Sequence, residues 1–187
     1  MRPGEASRYA DLMPRRHHHR LHHGWIYHVA HGVPYHREDS FRGIIFAAQH
    51  GYVWIDLDLQ ITKDGVVVVC HWPRPLLHDG FIDPEHKISR WAKVSDLTWA
   101  EVQRLHTKDG YHIRTLDQCL AVCASHGIGA KVEPKGDRRF NAQPIWNQIK
   151  AEADRHHARI SAYALIHNSF CLKYVRAAGI PASRLSH

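Results

Sequence analysis

The chain has 187 residues, 44% hydrophobic and 23% charged. That mix excludes full-length disorder, collagen and fibrous repeats, and every uninterrupted apolar run, Val66 to Cys70 among them, falls far short of the ~20 residues a membrane-crossing helix needs. Basic residues outnumber acidic ones 25 to 18, a net charge of +7 with the 19 histidines neutral, which favours an anionic partner such as a phosphate.

Residues 1–24 contain Arg15-Arg16-His17-His18-His19-Arg20 and His22-His23. They read as a basic, histidine-rich arm without fixed structure, ahead of a single domain over 25–187. From Ile26 to Ala30 a short strand is expected, ending at His31. Asp39-Ser40 then offers a helix cap, and Phe41 to His50 a helix closed by Gly51. Between Val53 and Ile61 apolar and polar residues alternate strictly, the period of a strand. Lys63-Asp64-Gly65 is a turn, and Val66 to Cys70 a β-branched strand ending at His71.

Residues 72–93, rich in proline, histidine and charge, read as a long loop. Ser95 or Thr98 with Glu101 caps a helix through His106, and Thr115 with Gln118 caps another through about Ser125. Gly129 to Lys135 is a predicted strand, Ala142 to His156 a helix, Ile160 to Ile166 a strand and Ser169 to Ala177 a last helix. This β/α alternation predicts an α/β fold with a parallel sheet or barrel, of which about five to six strands can be counted.

Cysteines 70, 119, 123 and 171 lack zinc-like spacing, and Cys119 and Cys123 fit core packing on one helix face. That usage fits a reducing compartment, and the first 24 residues lack the apolar segment of a signal peptide, so the cytoplasm is the expected location.

The chemistry lies at strand ends. Asp56 and Asp58 are two apart on a strand and project from one face, where burying both favours a hard cation such as Mg²⁺ or Ca²⁺. Glu133 in Lys-Val-Glu-Pro-Lys can complete such a site, with Lys135 facing a phosphate oxygen. His31 and His71, each at the C-terminal end of a predicted strand, stand where barrel enzymes carry acid/base groups.

Taken in order, these segments resemble the glycerophosphodiester phosphodiesterase family. Ala30-His31-Gly32 resembles the family's His-Arg-Gly, and Glu38-Asp39-Ser40 its Glu-Asn-Thr. Asp56-Leu57-Asp58 with Thr62-Lys63-Asp64-Gly65 resembles its Glu-x-Asp followed by Thr-Lys-Asp-Gly. Val66 to His71 resembles its valine strand ending in His-Asp, and Ile113 to Leu120 its helix entry. Glu133-Pro134-Lys135 resembles its Glu-x-Lys, and Ser169-Phe170 its Ser-Phe. Three departures stand out: Gly32 replaces an arginine, for which Arg37 is the candidate substitute; Asp56 replaces a glutamate; and Trp72 replaces an aspartate.

The resemblance implies a (β/α)8 TIM-barrel fold, here with only about five to six of the eight strands, and because an open barrel exposes strand edges, self-association is expected. It also implies a phosphoric diester hydrolase acting on a small-molecule glycerophosphodiester. Attack by the glycerol hydroxyl would give a cyclic phosphate that water opens to glycerol phosphate and an alcohol. It implies His31 and His71 as the catalytic pair, Asp56, Asp58 and Glu133 as Mg²⁺ or Ca²⁺ ligands, and Lys135 and Arg37 as substrate-binding groups. The alternatives are a phospholipase D-like lyase of the same superfamily and a catalytically weak phosphate- or polyanion-binding module. No basic-aromatic motif marks nucleic acid as the partner.

Overall fold

The structure is a computed structural model and describes residues 20–21, 24–27, 39–71 and 73–185. His31, Gly32, Arg37, Glu38 and Trp72 therefore lie outside the described residues, as does the arm before Arg20. The end of that arm, expected to be unstructured, contributes strand β1 (Arg20–Leu21), paired antiparallel with β2 (Gly24–Tyr27).

Helix α1 (Phe41–Gln49) starts at Ser40, whose hydroxyl accepts the Gly43 amide at 3.1 Å. The chain then enters the long central strand β3 (Trp54–Ile61). Its alternation works as the sequence predicts. Ile55, Leu57, Leu59 and Ile61 are fully buried in the main core with Ile44 of α1 and the apolar faces of later helices. Trp54, Asp56, Asp58 and Gln60 share the opposite, inner face.

A Thr62–Gly65 turn, with Gly65 at φ +90°, returns the chain into β4 (Val67–Val69), antiparallel to β3. Residues 73–93 are not the bare loop that their polarity suggests. A 3₁₀ turn (Leu76–Asp79), strand β5 (Phe81–Ile82), helix α2 (Trp99–Arg104) and strand β6 (His106–Thr107) build a second apolar cluster. Val68, Leu76, Phe81, Val94, Val102, Leu105 and Ile113 fill it. The buried Asp83 carboxylate organises its turn by accepting the amides of Glu85, Lys87 and Ile88. Helix α2 stops at Arg104, two residues before the expected end, because His106 pairs with Ile82 in the β5–β6 ladder.

Strand β7 (Arg114–Thr115) pairs with β4, and Thr115 caps helix α3 (Leu116–Ser125) through the expected capping box with Gln118. Strand β8 (Gly129–Pro134), helix α4 (Gln143–Arg155), strand β9 (Ile160–Leu165), helix α5 (Leu172–Ala177) and strand β10 (Ala182–Leu185) complete the alternation. Strands β2, β3, β8, β9 and β10 are parallel neighbours in that order. They form an α/β barrel-type sheet that is not closed among the described residues. Strand β10 pairs with β9 opposite β8, so β9 has a neighbour on each side.

All four cysteines are free and buried. Burial pushes the Cys123 thiol up to about 12 and the Cys171 thiol up to about 11, so both act as core side chains. Among the described residues, no helix is long and apolar enough to cross a membrane.

Candidate active site

Parallel register assembles the site. Asp56 lies opposite Lys131, and Asp58 opposite Glu133, across the β3–β8 ladder. Ala130 and Val132 enter the core on the outer face, so Lys131 and Glu133 point inward together. On β9 the same alternation sends Ala162 and Ala164 outward and Tyr163 inward. The four polar residues Asp58, Lys131, Glu133 and Tyr163 are each at least nine-tenths buried.

The carboxylates of Asp56, Asp58 and Glu133 bring one oxygen each within 4.8 Å of one another. Lys135, just past β8, places Nζ 2.7 Å from Glu133 Oε2 and 2.9 Å from Asp58 Oδ1. His71 follows β4, and its Nε2 is 3.7 Å from Asp58 Oδ2. Five of the seven predicted site residues thus meet at one end of the sheet, the C-terminal end of β3 and β8. The other two, His31 and Arg37, are outside the described residues.

Two participants were missed. The Tyr163 hydroxyl is 2.6 Å from Asp56 Oδ2 and 2.9 Å from Glu133 Oε2. Its signal in the sequence is a tyrosine alternating with alanines in a late strand, and only the β8–β9 register turns that into a contact. Asp39, read as part of a helix cap, instead accepts the Asp58 backbone amide at 3.1 Å through Oδ1. It sits at φ +58° and is buried, and Tyr111 donates its hydroxyl proton to the Asp39 carbonyl. The cap falls to Ser40 alone, and Asp39 steadies the strand that carries the two metal-type aspartates.

Negative charge dominates the cluster. Burial, reinforced by the Asp56 charge, pushes the Asp58 carboxyl up to about 7 against the pull of Lys135 and His71. Burial also opposes the Lys135 ammonium, but Asp58 and Glu133 outweigh it and hold that group above its usual value. Lys131, its ammonium 5.2 Å from the Tyr163 ring centroid, is held below its usual value by burial, with Asp56 pulling the other way. Burial and then the Asp56 and Glu133 charges keep Tyr163 far above the usual phenol range, so it remains a donor.

Tyr163 has one proton and two carboxylate neighbours, so it can satisfy only one of them at a time. Three carboxylates against one close ammonium leave negative charge that a hard divalent cation would offset. The donor set is all oxygen, the chemistry of Mg²⁺ and Ca²⁺ rather than of a thiolate-seeking metal. The residues present fit such an ion.

The chain matches the Glycerophosphoryl diester phosphodiesterase family over residues 30–184. It is 26% identical over 108 residues to the Bos taurus protein glycerophosphodiester phosphodiesterase 1, an alignment covering 53% of this chain and 30% of the bovine one. Two solved structures share the fold. One is a candidate glycerophosphodiester phosphodiesterase from Galdieria sulphuraria, with TM-score 0.64, 18% identity, and 80% of this chain and 58% of that chain covered. The other is an Oleispira antarctica phosphodiesterase in complex with the product sn-glycerol-3-phosphate, with TM-score 0.58, 19% identity and coverages of 80% and 62%. The chain therefore spans less than two thirds of these relatives. Matched along most of its own length, it belongs to the glycerophosphoryl diester phosphodiesterase family.

Proposed function

We propose that the chain hydrolyses glycerophosphodiesters to glycerol phosphate and an alcohol, with Mg²⁺ or Ca²⁺ held by Asp56, Asp58 and Glu133. The observation that carries this reading is the convergence of those carboxylates within 4.8 Å, with Lys135 and His71 against them. The ion, when bound, would neutralise charge on the phosphoryl oxygens.

The protein's own groups do the rest. Lys135 presents an ammonium to a phosphoryl oxygen, an electrostatic contact that strengthens as charge builds in the transition state. His71, whose Nε2 stands 3.7 Å from Asp58, exchanges a proton with the reacting oxygens. His31 is the proposed second acid/base group and Arg37 a second phosphate contact. In this scheme the glycerol hydroxyl loses a proton and attacks phosphorus, the alcohol departs protonated, and water opens the resulting cyclic phosphate. The product sn-glycerol-3-phosphate in the Oleispira antarctica structure supports the substrate class.

The test is to incubate the protein with a water-soluble glycerophosphodiester and Mg²⁺ or Ca²⁺ and identify the products. Glycerol phosphate plus free alcohol supports hydrolysis. A cyclic phosphate as the final product would point to the lyase, and no turnover of any diester would defeat both enzymatic readings.

A further inference from the structure

Beside the carboxylate cluster, and sharing Lys135 with it, opens a cavity of about 580 Å³. Gln60 is the next inward residue after Asp58 on β3, so the cavity continues directly from the metal-type site along the strand end. Its wall carries Lys63, Lys93 and Arg138, all exposed at the rim, together with Arg139 and the carboxylate of Asp137.

The wall's charges are not equivalent. Arg139 is fixed: its guanidinium donates to the backbone carbonyls of Ile61 and Thr62 at 2.6 and 2.5 Å and to both oxygens of Asp137. Asp137 is neutralised by that contact. Lys135 is occupied by Asp58 and Glu133. Lys63, Lys93 and Arg138 have no carboxylate within ion-pair distance among the described residues, and they arrive from three separate segments of chain. Three cations converging on one concave space, with the only wall carboxylate already paired, form an anion subsite.

We infer that this cavity binds a second anionic group, carried on the alcohol portion of the diester, so that the preferred substrate is a glycerophosphodiester whose leaving alcohol bears a phosphate. The inference rests on the hydrolase reading and adds no chemical step: water still adds across the same phosphorus–oxygen bond, and the second phosphate is only held. Its placement follows from Lys135, which borders both the reacting phosphate's position and the cavity.

Glycerophosphoglycerol and the same diester with a terminal phosphate on one glycerol form a matched pair of probes. The phosphorylated diester should show a kcat/KM roughly tenfold higher, the scale of two or three partly exposed charge contacts. The Lys93→Ala/Arg138→Ala double variant should lose most of that ratio, and the ratio should fall further with salt, whereas Lys173→Ala, on α5 and outside the cavity wall, should keep it. Calorimetric binding of both diesters in a chelating buffer gives a readout independent of turnover. Equal turnover and equal binding of the two diesters would overturn the subsite and leave the hydrolase standing. Preferential binding of the phosphorylated diester that is lost in the double variant, without turnover of either diester, would keep the subsite and overturn the hydrolase. Failure of both readouts would overturn both.

Discussion

The Tyr163 hydroxyl lies 2.6 Å from the Asp56 carboxylate although 107 residues separate the two in sequence. The same oxygen reaches Glu133 at 2.9 Å, so one phenol spans two of the three proposed metal ligands, on strands β3 and β8. A hydroxyl in that position orients carboxylates that would otherwise repel. Outer contacts of this kind typically contribute ~10- to 100-fold to metal affinity. Tyr163→Phe should therefore fold normally but bind Mg²⁺ or Ca²⁺ at least tenfold more weakly, as read by calorimetry. Unchanged affinity would mean that Asp56 and Glu133 hold their positions unaided.

Asp58→Asn separates the metal's role from a purely structural one. Removing the charge relieves the repulsion from Asp56 that helps push Asp58 up to about 7. The metal-free variant should thus melt no lower than the parent, while its metal affinity and diesterase activity fall. Chelation should abolish activity in the parent and either ion should restore it. Full activity after exhaustive chelation would remove the metal from the reaction.

His71 tests the proton-transfer assignment. Its side chain is only 15% exposed and its ring is 3.7 Å from Asp58, so truncation empties a mostly buried space beside the carboxylates. His71→Ala should still unfold cooperatively, at a somewhat lower Tm, and lose about 10²- to 10⁴-fold in kcat, the usual contribution of a general acid or base. His31→Ala should behave alike. A wild-type kcat in either variant would end that residue's assignment.

Local pattern made much of this site readable. Strict alternation in β3 placed Asp56 and Asp58 on one face, and Glu133 with Lys135 followed from the same rule in β8. The capping boxes at Thr98 and Thr115 marked helix starts because their hydrogen bonds are made within four residues. Tyr163 and Asp39 were not readable, since their roles depend on contacts 107 and 19 residues away that only the folded chain creates. The second apolar cluster was hidden for a different reason: Leu76, Phe81 and Val94 are scattered in ones and twos among prolines, histidines and charges, with no period to betray them.

Glu152 offers a pH prediction away from the site. It is buried on α4, and burial raises its carboxyl above the ordinary 4.5 despite the amide of Gln148 at 2.9 Å. Around it, Asp117 of α3 adds to the rise, while Arg155 and His156 at the end of α4 oppose it. An acid whose folded value is raised holds its proton more tightly folded than unfolded. Its penalty on stability is therefore absent below the unfolded value and grows as pH rises through the folded one. Glu152→Gln should stabilise the protein at neutral pH, with the difference in Tm closing as the pH approaches 4. A constant difference across that range would assign the effect to packing instead.

Gly129 tests how tightly the base of the barrel is filled. It pairs with Trp54 across β3 and β8, and a Cβ there would lie no more than 2.9 Å from three carbons of the Trp54 indole. The obstacle is the ring alone, since Gly129 is not among the residues at positive φ. Arg159 holds that ring: its guanidinium stands 5.4 Å from the indole centroid and donates to the carbonyls of Gly127 and Val53. The ring therefore has little room to retreat, and Gly129→Ala should cost about 1–3 kcal/mol, the range for overpacking a filled interior. Adding Trp54→Leu should make the second change partly compensatory, so that the double variant is more stable than the sum of the single losses predicts. Strict additivity in a thermal or urea double-mutant cycle would show that the indole yields without cost.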